Sequence, residues 1–209
     1  MKAKLCGMKT RKAAEAAEAA GAEYVGFIFW PKSRRAVTPG HAAAIGAQLH
    51  RAKKVGVFVD APIARVNAIV EACGLDFVQL HGHEDASYAR RVRAPVIKAY
   101  RYGKGFDARA AAAFPAEYIL LDSGTAALPG GTGKRFAWQE ASEAVRSAGL
   151  RERLLVAGGV SEENLKELYE VFRPYGVDVS GSLEVQGEKS VGKINAFMRA
   201  VRRVEGGGV

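Results

Sequence analysis

Cysteine is scarce in this chain. Its 209 residues hold only Cys6 and Cys73, too few for the disulfide framework that holds small secreted folds together. The opening MKAKLCGMKT has no long apolar stretch and no small-residue cleavage site. No signal peptide is read there, and the expectation is two reduced thiols in a cytoplasm. No apolar run approaches the ~20 residues of a membrane helix, so no membrane partner is expected. Acidic residues are in deficit, 22 against 31 Lys and Arg, for a net charge of +9. The basic residues are scattered, with short groups at Arg34-Arg35, Lys53-Lys54 and Arg202-Arg203. They form no basic stripe with aromatic residues among it, which argues against a nucleic-acid binder. Most of the charge reads as solvated surface, and a share of it could speed the arrival of an anionic small molecule.

What the chain does have is alternation. Eight short apolar runs, Lys2–Cys6, Tyr24–Phe29, Lys54–Val59, Phe77–His81, Val96–Tyr100, Tyr118–Asp122, Leu154–Gly158 and Val177–Ser180, read as strands. Helical stretches fall between and after them, at Arg11–Ala20, Pro39–Arg51, Pro62–Cys73, Glu84–Arg93, Asp107–Phe114, Trp138–Ala148, Ser161–Phe172 and Gly192–Val204. Pro39 and Pro62 suit a first helical turn, and Ser161 suits an N-cap. Strict β-then-α order implies a parallel sheet. Eight units without a linker favour an α/β fold closed into one (β/α)8 TIM barrel over an open doubly wound sheet. The barrel is expected to span residues 1–205, with a disordered tail at 206–209.

Such a barrel carries its chemistry at the carboxyl ends of the strands, and the unusual residues fall there. Cys6-Gly7, Pro31 to Arg35, Asp60, Gln79 to Gly82, Asp122-Ser123, Gly158-Gly159 and Ser180-Gly181-Ser182 each follow or close a strand. Alternation places Lys4 with Cys6, Gln79 with His81, Leu120 with Asp122, and Asp178 with Ser180 on inward faces. A Lys and an Asp inside a barrel are costly unless paired. Lys4 and Asp178 become neighbours when strands one and eight meet. Taken singly, each residue has an ordinary reading. Cys6 fits a small core residue, as does Cys73. Asp122 fits a turn or cap, His81 a satisfied core histidine, Arg35 a surface residue, and the glycine pairs plain turns. Their convergence on one rim is what favours a site.

Two late loops suit an anion. Gly158 and Gly159 lack side chains, so backbone N–H groups can approach a phosphate. Ser180-Gly181-Ser182 could open a short helix whose N-terminus favours negative charge. Gly130-Gly131-Thr132-Gly133-Lys134 imitates a nucleotide P-loop, but Arg135 follows where Ser or Thr is needed. Pro129 to Lys134 is read instead as a mobile loop over the mouth.

With these residues in order, the chain resembles the phosphoribosylanthranilate isomerase family over nearly its whole length. The likeness is carried by Lys4-Leu5-Cys6-Gly7, Gly26 to Arg35, Val55 to Val59, Val78 to Gly82, Leu120 to Ser123, Pro129 to Lys134, Ala157 to Gly159 and Val177 to Ser180. Ser33-Arg34-Arg35 stands where the family usually has Ser-Pro-Arg. Ser180-Gly181-Ser182-Leu183-Glu184 stands where it has Ser-Ser-Gly-Val-Glu, so the detailed phosphate contacts of that loop stay open.

The resemblance implies an Amadori rearrangement in tryptophan synthesis, run without cofactor or metal on an anionic phosphosugar. It implies Cys6 as general base, helped by Lys4, and Asp122 as a general acid whose pKa burial should raise. Arg35 would hold the anthranilate carboxylate, and Gly158, Gly159, Ser180, Gly181 and Ser182 the phosphate. His81 and Asp178 would orient the substrate. A homodimer is compatible with all of this. Two alternatives remain at this stage. One is another phosphate-binding barrel enzyme, such as a histidine-pathway sugar isomerase or the indole-forming synthase. The dual-substrate relatives resemble the chain less, because they carry an acidic residue in place of Cys6. The other is a non-catalytic basic binding module whose binding weakens steeply with salt.

Overall fold

Each apolar run pairs in parallel with the next, and the eighth returns to the first. The computed structural model describes residues 1–103, 105–122 and 133–206. The strands are β1 (Lys2–Cys6), β2 (Tyr24–Ile28), β3 (Lys53–Phe58), β4 (Phe77–Leu80), β5 (Val96–Arg101), β6 (Tyr118–Asp122), β7 (Leu154–Ala157) and β8 (Gly176–Val179). They close in sequence order into a barrel, as expected. The closing pair sets Lys4 beside Asp178 and Leu5 beside Val179. Outside lie α1 (Arg11–Ala19), α2 (Pro39–Gly46), α3 (Ile63–Cys73), α4 (Ala86–Ala89), α5 (Ala108–Ala113), α6 (Gly133–Ser147), α7 (Leu165–Phe172) and α8 (Val191–Glu205). A small hairpin, β9 (Glu184–Val185) and β10 (Glu188–Lys189), follows β8.

Helix boundaries differ from the sequence reading by a residue or two at most ends and by five at the start of α6, and at α2, α4 and α7 a local reason is visible. Helix α2 starts at Pro39 behind a Thr38 cap but stops at Gly46. The Glu18 carboxylate on α1 takes the backbone N–H groups of His50, Arg51 and Ala52 at 2.7–2.9 Å, holding that segment out of the helix. Helix α4 stops at Ala89 because the chain then tightens into turns, Arg91 N and Val92 N bonding to Tyr88 O and Ala89 O, and the Asn67 side chain on α3 accepts from Arg93 N and donates to Arg91 O, both at 3.0 Å. Helix α7 begins at Leu165 with Asn164, not Ser161, at the N-cap. The Asn164 side chain accepts from Ser161 N at 2.9 Å and donates to Gly159 O at 2.8 Å, so it shapes the loop after β7 instead. Pro62 sits one place earlier than expected, at the N-cap of α3. Of the loop expected to be mobile, Pro129 to Thr132 lie outside the described residues, as does Ser123, while Gly133 and Lys134 open α6. In the tail, Gly206 caps α8 and the rest lies outside.

The main apolar core lies between barrel and helices, and a second cluster fills the barrel itself. The strand-start end is closed by one aromatic from each alternate strand: Tyr24, Phe77, Tyr118 and, just before β8, Tyr175. The Tyr118 and Tyr175 rings stack at 4.5 Å, and the Tyr24 and Tyr175 hydroxyls meet at 2.9 Å. With that end plugged, a ligand site inside the barrel falls at the strand-finish end. This aromatic plug serves packing.

Candidate active site

Above the plug the barrel interior turns polar. Lys4 is fully buried and meets Asp178 at 2.8 Å, the pair expected from alternation. Burial works to lower the Lys4 ammonium, but Asp178 and the Cys6 sulfur outweigh it and hold its pKa above the ordinary value. Cys6 ends the same inward face, 5% exposed. Its thiol fits because Gly26 is its partner on β2. A Cβ at Gly26 would fall 2.8 Å from Cys6 Sγ. Burial pushes the Cys6 thiol up; Lys4 opposes this, as expected, without overcoming it, and Asp178 adds to the rise.

This rise is measurable. In a Cys73→Ser background Cys6 is the sole thiol, and its alkylation by iodoacetamide should be slow at neutral pH. Because desolvation disfavours the thiolate, the rate should climb with a midpoint above the ordinary cysteine value of about 8.5. A midpoint below that value contradicts the burial argument.

Across the mouth, Asp122 ends β6, half-buried. It lines an open cavity of about 590 Å³ together with His81, Gly82, Lys98 and Arg101. His81 reaches solvent through that mouth but is walled by protein. Its Nδ1 lies 2.8 Å from Gln79 Nε2. Burial lowers its pKa, Lys4 and Lys98 add to this, and the carboxylates of Asp178 and Asp122 oppose it. The β4 loop carrying His81 is pinned from behind. Lys98, almost fully buried, donates to Gly82 O at 2.7 Å and to Glu84 at 2.9 Å, and Glu84 accepts from the Asp60 and Gly82 backbone N–H groups.

The two anion loops lie side by side. Gly158 and Gly159 both have left-handed φ, +86° and +68°, a conformation that Gly alone adopts freely, and with no side chain at either position the backbone there can approach an anion closely. Residues Gly181–Leu183 form a single 3-10 turn. The serine hydroxyls are already engaged: Ser182 Oγ donates to Val160 O at 2.6 Å and Ser180 Oγ to Cys6 O at 3.0 Å. Anion contacts there therefore fall to backbone N–H groups. Arg35 crosses the mouth between Gly7 and Gly181 and is gripped by Glu184, with Nε–Oε1 2.5 Å and Nη2–Oε2 3.0 Å. Cys6, Arg35, His81, Asp122, Asp178 and both loops thus share one end of the barrel.

Known proteins match this arrangement along the chain. A family profile for N-(5'phosphoribosyl)anthranilate (PRA) isomerase covers residues 3–200. The chain belongs to this isomerase family. An N-(5'-phosphoribosyl)anthranilate isomerase of Bacillus cereus (strain Q1) is 40% identical over 199 residues, 95% of this chain and 96% of the relative. The crystal structure of phosphoribosyl anthranilate isomerase from Thermus thermophilus superimposes with a TM-score of 0.84 at 33% identity, covering 98% of this chain and 100% of its own. Another solved phosphoribosyl anthranilate isomerase, in complex with reduced 1-(o-carboxyphenylamino)-1-deoxyribulose 5-phosphate, has a TM-score of 0.81 at 30% identity, with 97% and 98% covered.

Sequence reasoning gave no role to three features of the site. Gly26 gives the thiol its room; its signal was a glycine in register with Cys6 across two strands. Lys98 and Glu84 brace the His81 loop; a lysine in an apolar strand was the available signal. Glu184 holds Arg35 and is itself held by Lys189, and nothing in a short polar segment after β8 marked Glu184 as the partner of a residue 149 positions earlier.

Proposed function

We propose that this chain converts N-(5-phosphoribosyl)anthranilate into 1-(o-carboxyphenylamino)-1-deoxyribulose 5-phosphate, the Amadori step of tryptophan synthesis. The observation that carries the reading is the placement of a buried thiol and a half-buried carboxylate on separate strands of the one open barrel end, within a chain of this family. The substrate has two anionic ends, and the site has two groups of anion donors. The Gly158-Gly159 and Gly181-Ser182 backbone suits the phosphate. The planar fork of Arg35 suits the anthranilate carboxylate.

Held at both ends, the sugar lies between Asp122 and Cys6. Asp122 gives a proton to the ring oxygen, which opens the furanose to a Schiff base at C1′. Cys6, as thiolate, removes the C2′ proton, and the electron pair shifts to neutralise the iminium nitrogen. The enolamine then gains a proton at C1′ and releases the proton of its C2′ hydroxyl, becoming the ketone, while the Cys6 thiol and the Asp122 carboxylate return to their starting forms. Lys4 supports the thiolate by donating to it, and Asp178 fixes Lys4. His81, held neutral by its surroundings, orients sugar hydroxyls. A cytoplasmic setting goes with this reading, since the buried thiol must stay reduced to work.

The purified chain should turn over the freshly prepared aminoaldose, followed by the change in anthranilate fluorescence. Arg35→Ala is expected to raise KM by about ten- to a hundredfold, the worth of one charge-assisted hydrogen bond, with a smaller effect on kcat. An unchanged KM would remove Arg35 from substrate binding, and absence of turnover by the wild type would remove the reading.

A further inference from the structure

The grip on Arg35 raises a question of geometry. A guanidinium presents two edges at which a carboxylate can dock by paired hydrogen bonds: a side edge of Nε and one Nη, and an end edge of both Nη atoms. Glu184 occupies the side edge, taking Nε and Nη2. Among the described residues no side chain takes the other fork, the end edge, and it is the one Arg35 presents to the mouth.

Glu184 is itself saturated. Its Oε1 accepts from Arg35 Nε and from Lys189 Nζ at 2.8 Å; its Oε2 accepts from Arg35 Nη2 and from Arg34 Nη2 at 2.8 Å. The Glu184 side chain is only 6% exposed. Burial would raise its pKa, but the hydrogen bonds from Arg35 and Lys189 win and bring it down to about 2, so it stays a carboxylate throughout the working range. Lys189, 3% exposed at its side chain, spends its other two donors on Ser180 O at 3.0 Å and Ser180 Oγ at 3.2 Å. Ser180 in turn bonds the Cys6 carbonyl. With all three donors spent, Lys189 has none left for a ligand. Three cations around one carboxylate leave two positive charges at this side of the mouth.

We propose that Glu184 is a positioning residue for substrate selection: by occupying the side edge of Arg35 it presents the end edge to an incoming aryl carboxylate, and through Lys189 and Ser180 it ties that fork to the phosphate loop and to the strand carrying Cys6. The inference rests on the reading of Arg35 as the carboxylate donor. It makes the spacing between carboxylate and phosphate recognition a property of the β9–β10 hairpin, not of Arg35 alone.

The test uses two probes, reduced 1-(o-carboxyphenylamino)-1-deoxyribulose 5-phosphate and the same compound made from aniline, which lacks the carboxylate. Wild type should bind the first more tightly. Glu184→Gln, close to isosteric, should weaken the first probe by about tenfold or more and leave the second unchanged. Arg35→Ala should abolish the preference, and adding Glu184→Gln to it should cost nothing further, because the two act as a unit. Equal weakening of both probes by Glu184→Gln would make Glu184 a merely structural residue and overturn the proposal. So would full retention of the preference. Loss of preference in Arg35→Ala together with its retention in Glu184→Gln overturns only the positioning role. Retention in both overturns the reading of Arg35 as well. Should Glu184→Gln fail to fold, Glu184→Asp keeps the charge on a shorter stem. It should then show the same selective loss at smaller size, and a loss common to both probes would overturn the proposal.

Discussion

Cys6→Ser and Asp122→Asn should each lower kcat by about 10²–10⁴-fold, the usual contribution of one general acid–base group, while leaving the fold intact. Both substitutions nearly preserve shape, so they test chemistry and not packing. Serine at Cys6 keeps a small side chain in the space that Gly26 leaves open. Its hydroxyl is a far weaker base than a thiolate, even one whose formation burial disfavours. Asparagine at Asp122 cannot give an acidic proton to the ring oxygen. KM should change little in either variant, because the anion donors lie elsewhere, on Arg35 and the β7 and β8 loops. Effects on groups that act together are not additive, so the double variant should be little worse than the weaker single one. Near-full activity in Cys6→Ser would return Cys6 to the status of a core residue.

The second large effect is on stability. Asp178→Asn should destabilise the fold by about 3–5 kcal/mol, because it leaves a buried ammonium without its counter-charge. Lys4 is wholly buried and Asp178 nearly so, with side-chain exposures of 0% and 11%. The loss should be read in urea unfolding as a shifted midpoint at constant slope. Replacing both partners, as in Lys4→Met with Asp178→Leu, should recover most of that stability, since an apolar pair needs no compensation. It should remain poorly active, because the Cys6 thiol loses the one neighbour on its own strand that favours its charged form. A cost below about 1 kcal/mol for Asp178→Asn, in the range of exposed pairs, would show that the pair is solvated and not the buried support described here.

How much of this was legible beforehand depended on the range of the interaction. Strands were legible because inward and outward faces alternate with period two, and the count of eight then implied closure. The same alternation foretold the Lys4–Asp178 pair, since closure makes β1 and β8 neighbours whatever the details. Helix ends were less legible where a distant side chain decided them. The periodicity of α2 continues past Gly46, and only the Glu18 carboxylate, bound to three consecutive N–H groups, explains why the helix does not. At α7 the sequence offered Ser161 as a good cap, but Asn164 takes that place and uses its side chain to fix the glycine loop. The rim residues were readable as a set by position and family likeness. Their protonation was not, because it depends on depth: Lys4 acts on Cys6 in the expected direction, yet burial prevails. The partners of Arg35 were hidden for another reason. Glu184 and its partner Lys189 lie in a hairpin too short to show any periodicity, and Glu184 meets Arg35 only once the barrel has brought the β2 and β8 loops together.

The most direct test of the account uses an aminoaldose carrying deuterium at C2′, turned over by the purified wild-type chain in ordinary water. Abstraction of that atom by a side chain that exchanges with water predicts a ketose product that has lost at least part of its deuterium, and predicts that Cys6→Ser performs this conversion at a small fraction of the wild-type rate. No conversion, or conversion by Cys6→Ser at close to the wild-type rate, would contradict it.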